Sequence, residues 1–187
     1  MKRAHVLNER EIKKIFASIA RGAYPSRNRA MFILSIYAGM RVGEIATLRV
    51  SDVLAADGSV RSQVQLSAAQ TKGNEARTVL LNTQVQSEIA EYVRKLKPQA
   101  DGVLFLSRAG KSFSSNSLCQ VFARTYRDCG IDAATSHAGR HYFLTTLAEK
   151  GVSIHVLAAL AGHKNISTTM VYLTANANVM RAAVELI

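Results

Sequence analysis

HAGRHYFLTTL, residues 137–147, is followed after a further apolar segment by AGHKNISTTMVY, residues 161–172. These two runs group His137, Arg140 and His141 on one turn and set His163 nine residues ahead of Tyr172. An ordinary helical core requires no such order of imidazoles, guanidinium and phenol, and each of these side chains can engage phosphate. His137 and Arg140 lie three apart, so on a helix they share a face and can converge on one ligand. Nine residues at about 100° each would put Tyr172 on the opposite side from His163 if one helix carried both. The sequence places a break there: Gly162 suits a helix stop, Lys164 and Asn165 a turn, and Ser167 the N-cap of a short helix carrying Tyr172.

Outward from this stretch, the chain of 187 residues is of a size for one domain with a real core, and its 48% hydrophobic content is that of a globular protein. Its 24 Lys and Arg against 13 Asp and Glu give a formal charge of +11, which favours a polyanionic partner, nucleic acid ahead of acidic lipid. Two cysteines, Cys119 and Cys129, fall in one helical-looking segment and argue for packing in a reducing compartment rather than a disulfide framework. The longest apolar run, Ala30 to Met40, is too short to span a bilayer, and the N-terminus lacks the apolar core of a signal peptide, so a cytoplasmic location without a membrane is expected.

The first helix is marked by Asn8 as cap, Glu11 closing a capping box, a Leu7–Ile12 staple and a stripe of Ile12, Ile15, Phe16 and Ile19. Arg21 to Ser26 reads as a loop, and Ala30 to Ala38 as a buried helix ended by Gly39. Arg41 then opens a new helix with Glu44 one turn later; a surface ion pair is the common role for such a pair, but a basic side chain where a buried helix stops is set to point into a cleft. Alternation over Val60–Leu66 and a strand-like run over Arg77–Leu81, rich in Val, Leu and Thr, predict a hairpin whose TKGNEA connection carries Lys72 beside Gly73 and Asn74. Val85, Ile89, Tyr92, Val93 and Leu96 mark one later helix, and Leu118, Val121 and Phe122 another that stops at Gly130. The loop between them offers Arg108 and Lys111 as phosphate contacts. The HAGRH helix closes at Gly151, a helix follows from about Ser153 to Ala161, and Val179, Ala182, Ala183 and Leu186 suggest a short tail helix. The fold class is mostly α with a small antiparallel β-sheet.

Zinc is a poor reading of the i,i+4 pair His137 and His141, because no glutamate lies between them and an adjacent Arg140 repels a dication. No nucleophile elbow, P-loop or dinucleotide fingerprint occurs, so no cofactor is expected.

AGMRVGEIATLRVSDV, the hairpin Lys72, HAGRH, and GH followed nine residues later by Tyr172 together resemble the catalytic domain of the tyrosine recombinases, the phage-integrase family. The resemblance covers essentially the whole chain in the right order, although each piece alone is weak. It implies that Tyr172 attacks a DNA phosphodiester to leave a 3′-phosphotyrosyl link and a free 5′-hydroxyl. Arg41 and Arg140 would hold the non-bridging oxygens, Lys72 would protonate the leaving oxygen, His137 would take the tyrosyl proton, and His163 would donate a hydrogen bond to the phosphate. Glu44 and His141 would support the site, and Lys164 would join Arg108 and Lys111 in binding DNA. The implied activity is site-specific recombination or integration on double-stranded DNA without metal or ATP, with self-assembly into a tetrameric synapse. A DNA-binding regulator that keeps the fold, or strand relaxation like that of a type IB topoisomerase, stays open as an alternative. Gly139 stands where the family commonly has leucine, which implies looser helix packing there. The family usually carries an N-terminal helical domain that clasps DNA, and this chain begins about where the catalytic domain would, so a single catalytic domain over 1–187 is expected.

Overall fold

Seven consecutive buried residues, Ala30 to Ile36, make one helix the axis around which the others are laid. The computed structural model describes residues 5–71, 73–96, 102–172 and 184–185. Lys72 and the tail positions Val179, Ala182, Ala183 and Leu186 lie outside the described residues. In chain order the elements are α1 (Glu9–Arg21), α2 (Pro25–Tyr37), α3 (Val42–Thr47), α4 (Val50–Val53), β1 (Gln63–Leu66), a 3₁₀ turn (Ala68–Gln70), β2 (Arg77–Leu80), α5 (Thr83–Leu96), α6 (Ser115–Asp128), α7 (Ala138–Glu149), α8 (Ile154–Ala161) and α9 (Ser167–Met170). The expected fold class, mostly α with a small antiparallel sheet, is the observed one.

Helix α1 begins as its sequence dictates: the Asn8 side chain accepts from the Glu11 amide and the Glu11 carboxylate accepts from the Asn8 amide, while Leu7 and Ile12 are both buried. Helix α2 starts earlier than the loop expected over 21–26, because Pro25 sits at its first turn, where a missing N–H costs nothing. It is packed by α1, α5 and α7, and Phe32 stacks on Phe122 of α6 at 4.0 Å. The strands pair antiparallel with Gln63 opposite Leu80 and Leu66 opposite Arg77. The first strand is shorter than the expected 60–66, since Val60 instead bridges back to Leu54. Asn74 takes positive φ in the connection, as its turn chemistry predicts. Among the described residues no helix is long and apolar enough to cross a membrane.

Two local expectations are corrected. Helix α9 is capped by Ile166 rather than Ser167, whose amide is taken by the Asn165 side chain, and it ends at Met170, so Tyr172 stands in the turn beyond it. At Gly139 the packing is tight, not loose. A Cβ added there would lie 2.6 Å from Ser35 Oγ and 3.2 Å from the Ser35 backbone carbon, so α7 lies against α2 at a distance only glycine allows. Gly139→Leu should lower stability by about 1–3 kcal/mol, the cost of overpacking a filled contact. A thermal melt unchanged by this substitution would show that the two helices separate freely there.

Candidate active site

The site is built on the C-terminal end of α8. A helix ends with carbonyls that have no intrahelical donor, and its dipole concentrates about half a negative charge there. Gly162 adopts φ +58°, turning the chain out of the helix while its amide donates to Ala159 O and the next amide, of His163, to Ala158 O. The Leu160, Ala161 and Gly162 carbonyls are left facing outward, and three arginines from different elements donate to them. Arg77 Nη1 reaches Leu160 O at 2.9 Å, Arg140 Nη2 reaches Ala161 O, and Arg41 Nη2 reaches Ala161 O at 3.2 Å and Gly162 O at 3.4 Å. Arg140 Nη1 also donates to Gly39 O at 2.7 Å, tying α7 to the turn that precedes Arg41.

Glu44 holds two of these arginines from behind. Only 1% exposed, it accepts from the Arg41 amide and Nη1, both at 2.8 Å, and from Arg77 Nε and Nη2 at 3.0 and 2.7 Å. Burial alone would raise its pKa, but the hydrogen bonds and charge of Arg77, then of Arg41, outweigh it and hold the carboxyl below its ordinary range. The Arg41–Glu44 pair is thus no plain surface pair: the carboxylate is sealed, while the Arg41 side chain stays 22% exposed towards the cleft. Arg140 is 4% exposed, and burial followed by the charges of Arg41 and Arg77 pulls its pKa down to about 9, still charged at neutral pH.

Arg77 was not singled out by the sequence reading. Its signal is the strand period: Arg77 lies two before the buried Val79, so it shares the inward face of β2, and an inward arginine requires a carboxylate. Gly162 makes room for it, since a Cβ there would lie 2.7 Å from Arg77 Cδ.

His163 and Tyr172 complete the group. Arg140 Nη2 lies 3.1 Å from His163 Nε2, and His163 Nδ1 lies 2.9 Å from Thr169 Oγ1. Tyr172 is 8% exposed and packs with Leu144, Leu157 and Ala161. Its ring lies near-parallel to His163 at 6.5 Å, and the ring set edge-on to it, at 5.4 Å, is that of His141. Burial raises the phenol's pKa, against the opposing charges of Arg140 and Arg41. His137 is the exposed N-cap residue of α7 and lines a cleft of about 370 Å³ with Arg41, Glu44 and Ser115. A second cleft, about 550 Å³, runs from Arg41 past Thr71, Gly73 and Arg77 to His163 and Lys164.

Of the other expected DNA contacts, Lys164 borders this cluster at the rim of the second cleft, while Arg108 and Lys111 lie apart from it. Lys164 Nζ meets Glu75 Oε1 at 2.7 Å in an exposed ion pair between the α8–α9 turn and the hairpin connection. Arg108 and Lys111 are exposed on a turn closed by Ser107 N donating to Lys111 O. Arg108 lines a separate groove with Arg27 and Arg124.

Burial, then the charges of Arg140, Arg41 and Arg77, lower the pKa of His163 from 6.5 to about 4. In the unfolded chain the imidazole takes its proton first as pH falls, so this group costs stability progressively from about pH 6.5 down to about 4. His141 contributes in the same direction, through burial and the charges of His137 and Arg140. His163→Gln should therefore flatten, without abolishing, the fall in melting temperature over that window. An unchanged slope would mean that His163 titrates normally in the fold.

The phage integrase family model matches residues 5–178, and the chain belongs to this family. Among sequence relatives, the TnP I resolvase of Bacillus thuringiensis is 31% identical over 185 residues, covering 96% of this chain and 60% of the relative. Tyrosine recombinase XerA of Pyrococcus furiosus is 28% identical over 181 residues, again covering 96% and 60%. The chain thus spans about 60% of the length of these curated relatives. Among solved structures, the XerA recombinase superposes with a TM-score of 0.77 at 23% identity, over 97% of this chain and 64% of that one. The catalytic domain of bacteriophage HP1 integrase superposes with a TM-score of 0.71 at 21% identity, over 98% and 95%. The fold is that of a tyrosine recombinase catalytic domain.

Proposed function

We propose that this chain is the strand-transferring catalytic unit of a site-specific DNA recombinase or integrase. The observation that carries the reading is the charge balance at the end of α8: three guanidiniums against one carboxylate leave a formal +2 beside a tyrosine and a histidine. A phosphodiester, which gains negative charge on its way to a pentacoordinate transition state, fits that excess, and guanidinium forks match its oxygens. Family membership and the solved Tn1549 transposon integrase in complex with circular intermediate DNA, which superposes with a TM-score of 0.75, support the same substrate class.

In the proposed step Tyr172 Oη attacks phosphorus, the bond from phosphorus to the 5′-oxygen breaks, and a 3′-phosphotyrosine forms. The phenolic proton passes to His137, and the departing oxygen takes a proton from Lys72. Arg41 and Arg140 carry the non-bridging oxygens, with Glu44 and Arg77 fixing Arg41, and His163 donates to the phosphate. The covalent link preserves the energy of the broken ester, so another 5′-hydroxyl can reverse the step without ATP. The arginines supply the charge that many phosphoryl-transfer sites take from a divalent ion. Duplex DNA is the proposed partner, with Arg108, Lys111 and Lys164 as outlying contacts, tetrameric assembly on DNA, and a cytoplasmic location.

Incubation with a nicked suicide duplex in excess EDTA should yield a denaturation-resistant protein–DNA band. Retarded DNA without such a band would favour the DNA-binding regulator. Relaxation of supercoiled plasmid without strand exchange would favour topoisomerase-like turnover. Activity restored only by added Mg²⁺ or Zn²⁺ would remove the metal-free mechanism.

A further inference from the structure

Thr169 is a fully buried polar side chain at the heart of the site, on the short helix between His163 and Tyr172. Its Oγ1 lies 2.9 Å from His163 Nδ1, and its carbonyl accepts the Tyr172 amide at 3.1 Å. One residue therefore touches the histidine through its side chain and the tyrosine through its backbone.

The protonation of the imidazole follows from its neighbours. A guanidinium has only donors, so the His163 Nε2 that meets Arg140 must present its lone pair when the ring is neutral. The proton then sits on Nδ1 and is donated to Thr169 Oγ1. With Nδ1 held in this way, the ring can donate to a phosphate only through Nε2, and only as the imidazolium. The Nδ1–H bond to Thr169 survives that change, because the hydroxyl can accept from either form. The negative charge of a bound phosphate favours the imidazolium, so Nε2 would take a proton from solvent and exchange the Arg140 contact for a phosphate contact, with the ring kept in place.

We propose that Thr169 is a positioning residue: its hydroxyl accepts from the Nδ1–H form of His163 that Arg140 selects, which holds the ring and aims Nε2 at the phosphate position beside the turn carrying Tyr172. This rests on the reading of the site as a phosphotyrosine-forming one, and its first test needs no turnover. In ring ¹⁵N–¹H spectra of the DNA-free protein at neutral pH, wild-type His163 should show the Nδ1–H form, and Thr169→Ser should show the same. Thr169→Val keeps the shape but removes the acceptor, so the Nδ1–H that Arg140 still enforces should lose its partner, and its signal should shift and exchange faster with solvent. In single-turnover cleavage at saturating duplex, Thr169→Val should slow covalent attachment roughly tenfold, the scale of one lost hydrogen bond, with DNA affinity unchanged, and Thr169→Ser should restore the rate. An Nε2–H signal in the wild type, an Nδ1–H shift and exchange rate unchanged in Thr169→Val, or failure of Thr169→Ser to preserve signal and rate would overturn the proposal. If Thr169→Val does not fold, Thr169→Ala, which also lacks the acceptor, decides it by the same readouts. A wild type with the Nδ1–H signature but no covalent band would instead remove the strand-transfer reading and leave the hydrogen-bond assignment standing.

Discussion

Tyr172→Phe should form no covalent complex with nicked duplex DNA, while binding that duplex within about twofold of the wild type, one hydroxyl being a small part of many backbone contacts. The substitution isolates the chemistry. The ring keeps its packing against Leu144 and Leu157 and its edge contact with His141, so the fold is preserved. What is removed is the only atom of this side chain that can attack phosphorus. Because burial holds the phenol's pKa above its usual value, the free hydroxyl is a weak nucleophile until a phosphate and a base are in place. A denaturing gel gives the answer, with a melting curve as the folding control. A covalent band that persists in Tyr172→Phe would mean that another side chain attacks the phosphate.

Arg140→Ala should slow covalent attachment by about a hundredfold or more at saturating DNA, the scale seen when one preorganised donor to a developing oxyanion is lost. This guanidinium also contributes to the fold. Gly39 O loses its Arg140 donor on truncation, and Ala161 O keeps only the longer bond from Arg41. A lower melting temperature should accompany the slower rate, so cleavage must be measured well below the melt. Arg140→Lys should rescue poorly, since an ammonium cannot span Gly39 O, Ala161 O and a phosphate at once. Equal single-turnover rates for wild type and Arg140→Ala would reduce Arg140 to a structural tie between α7 and α8.

The sequence carried the fold class because its elements are locally encoded. The Asn8–Glu11 box, the nearly all-round apolar 30–38 run, the helix stop at Gly162 and the alternation of Val64 and Leu66 with Gln63 and Gln65 each need only neighbours in the chain, and each stands as read. The residues of the candidate site were legible through spacing and family resemblance, since Arg41, Glu44, Arg140, His163 and Tyr172 do gather at one place. Lys72 lies outside the described residues.

What sequence alone could not supply depends on contacts between distant segments. Whether Arg41–Glu44 lies on the surface or buried depends on Arg77, 33 positions from Glu44. Whether glycine at 139 loosens or tightens α7 depends on Ser35, more than a hundred residues away. By itself the sequence determined which groups are present and roughly where the helices and strands lie, because caps, periodicity and turn chemistry act over one or two turns. Only the tertiary structure decided which groups share charge and protons, because the end of α8 brings three arginines from three other elements into one low-dielectric place.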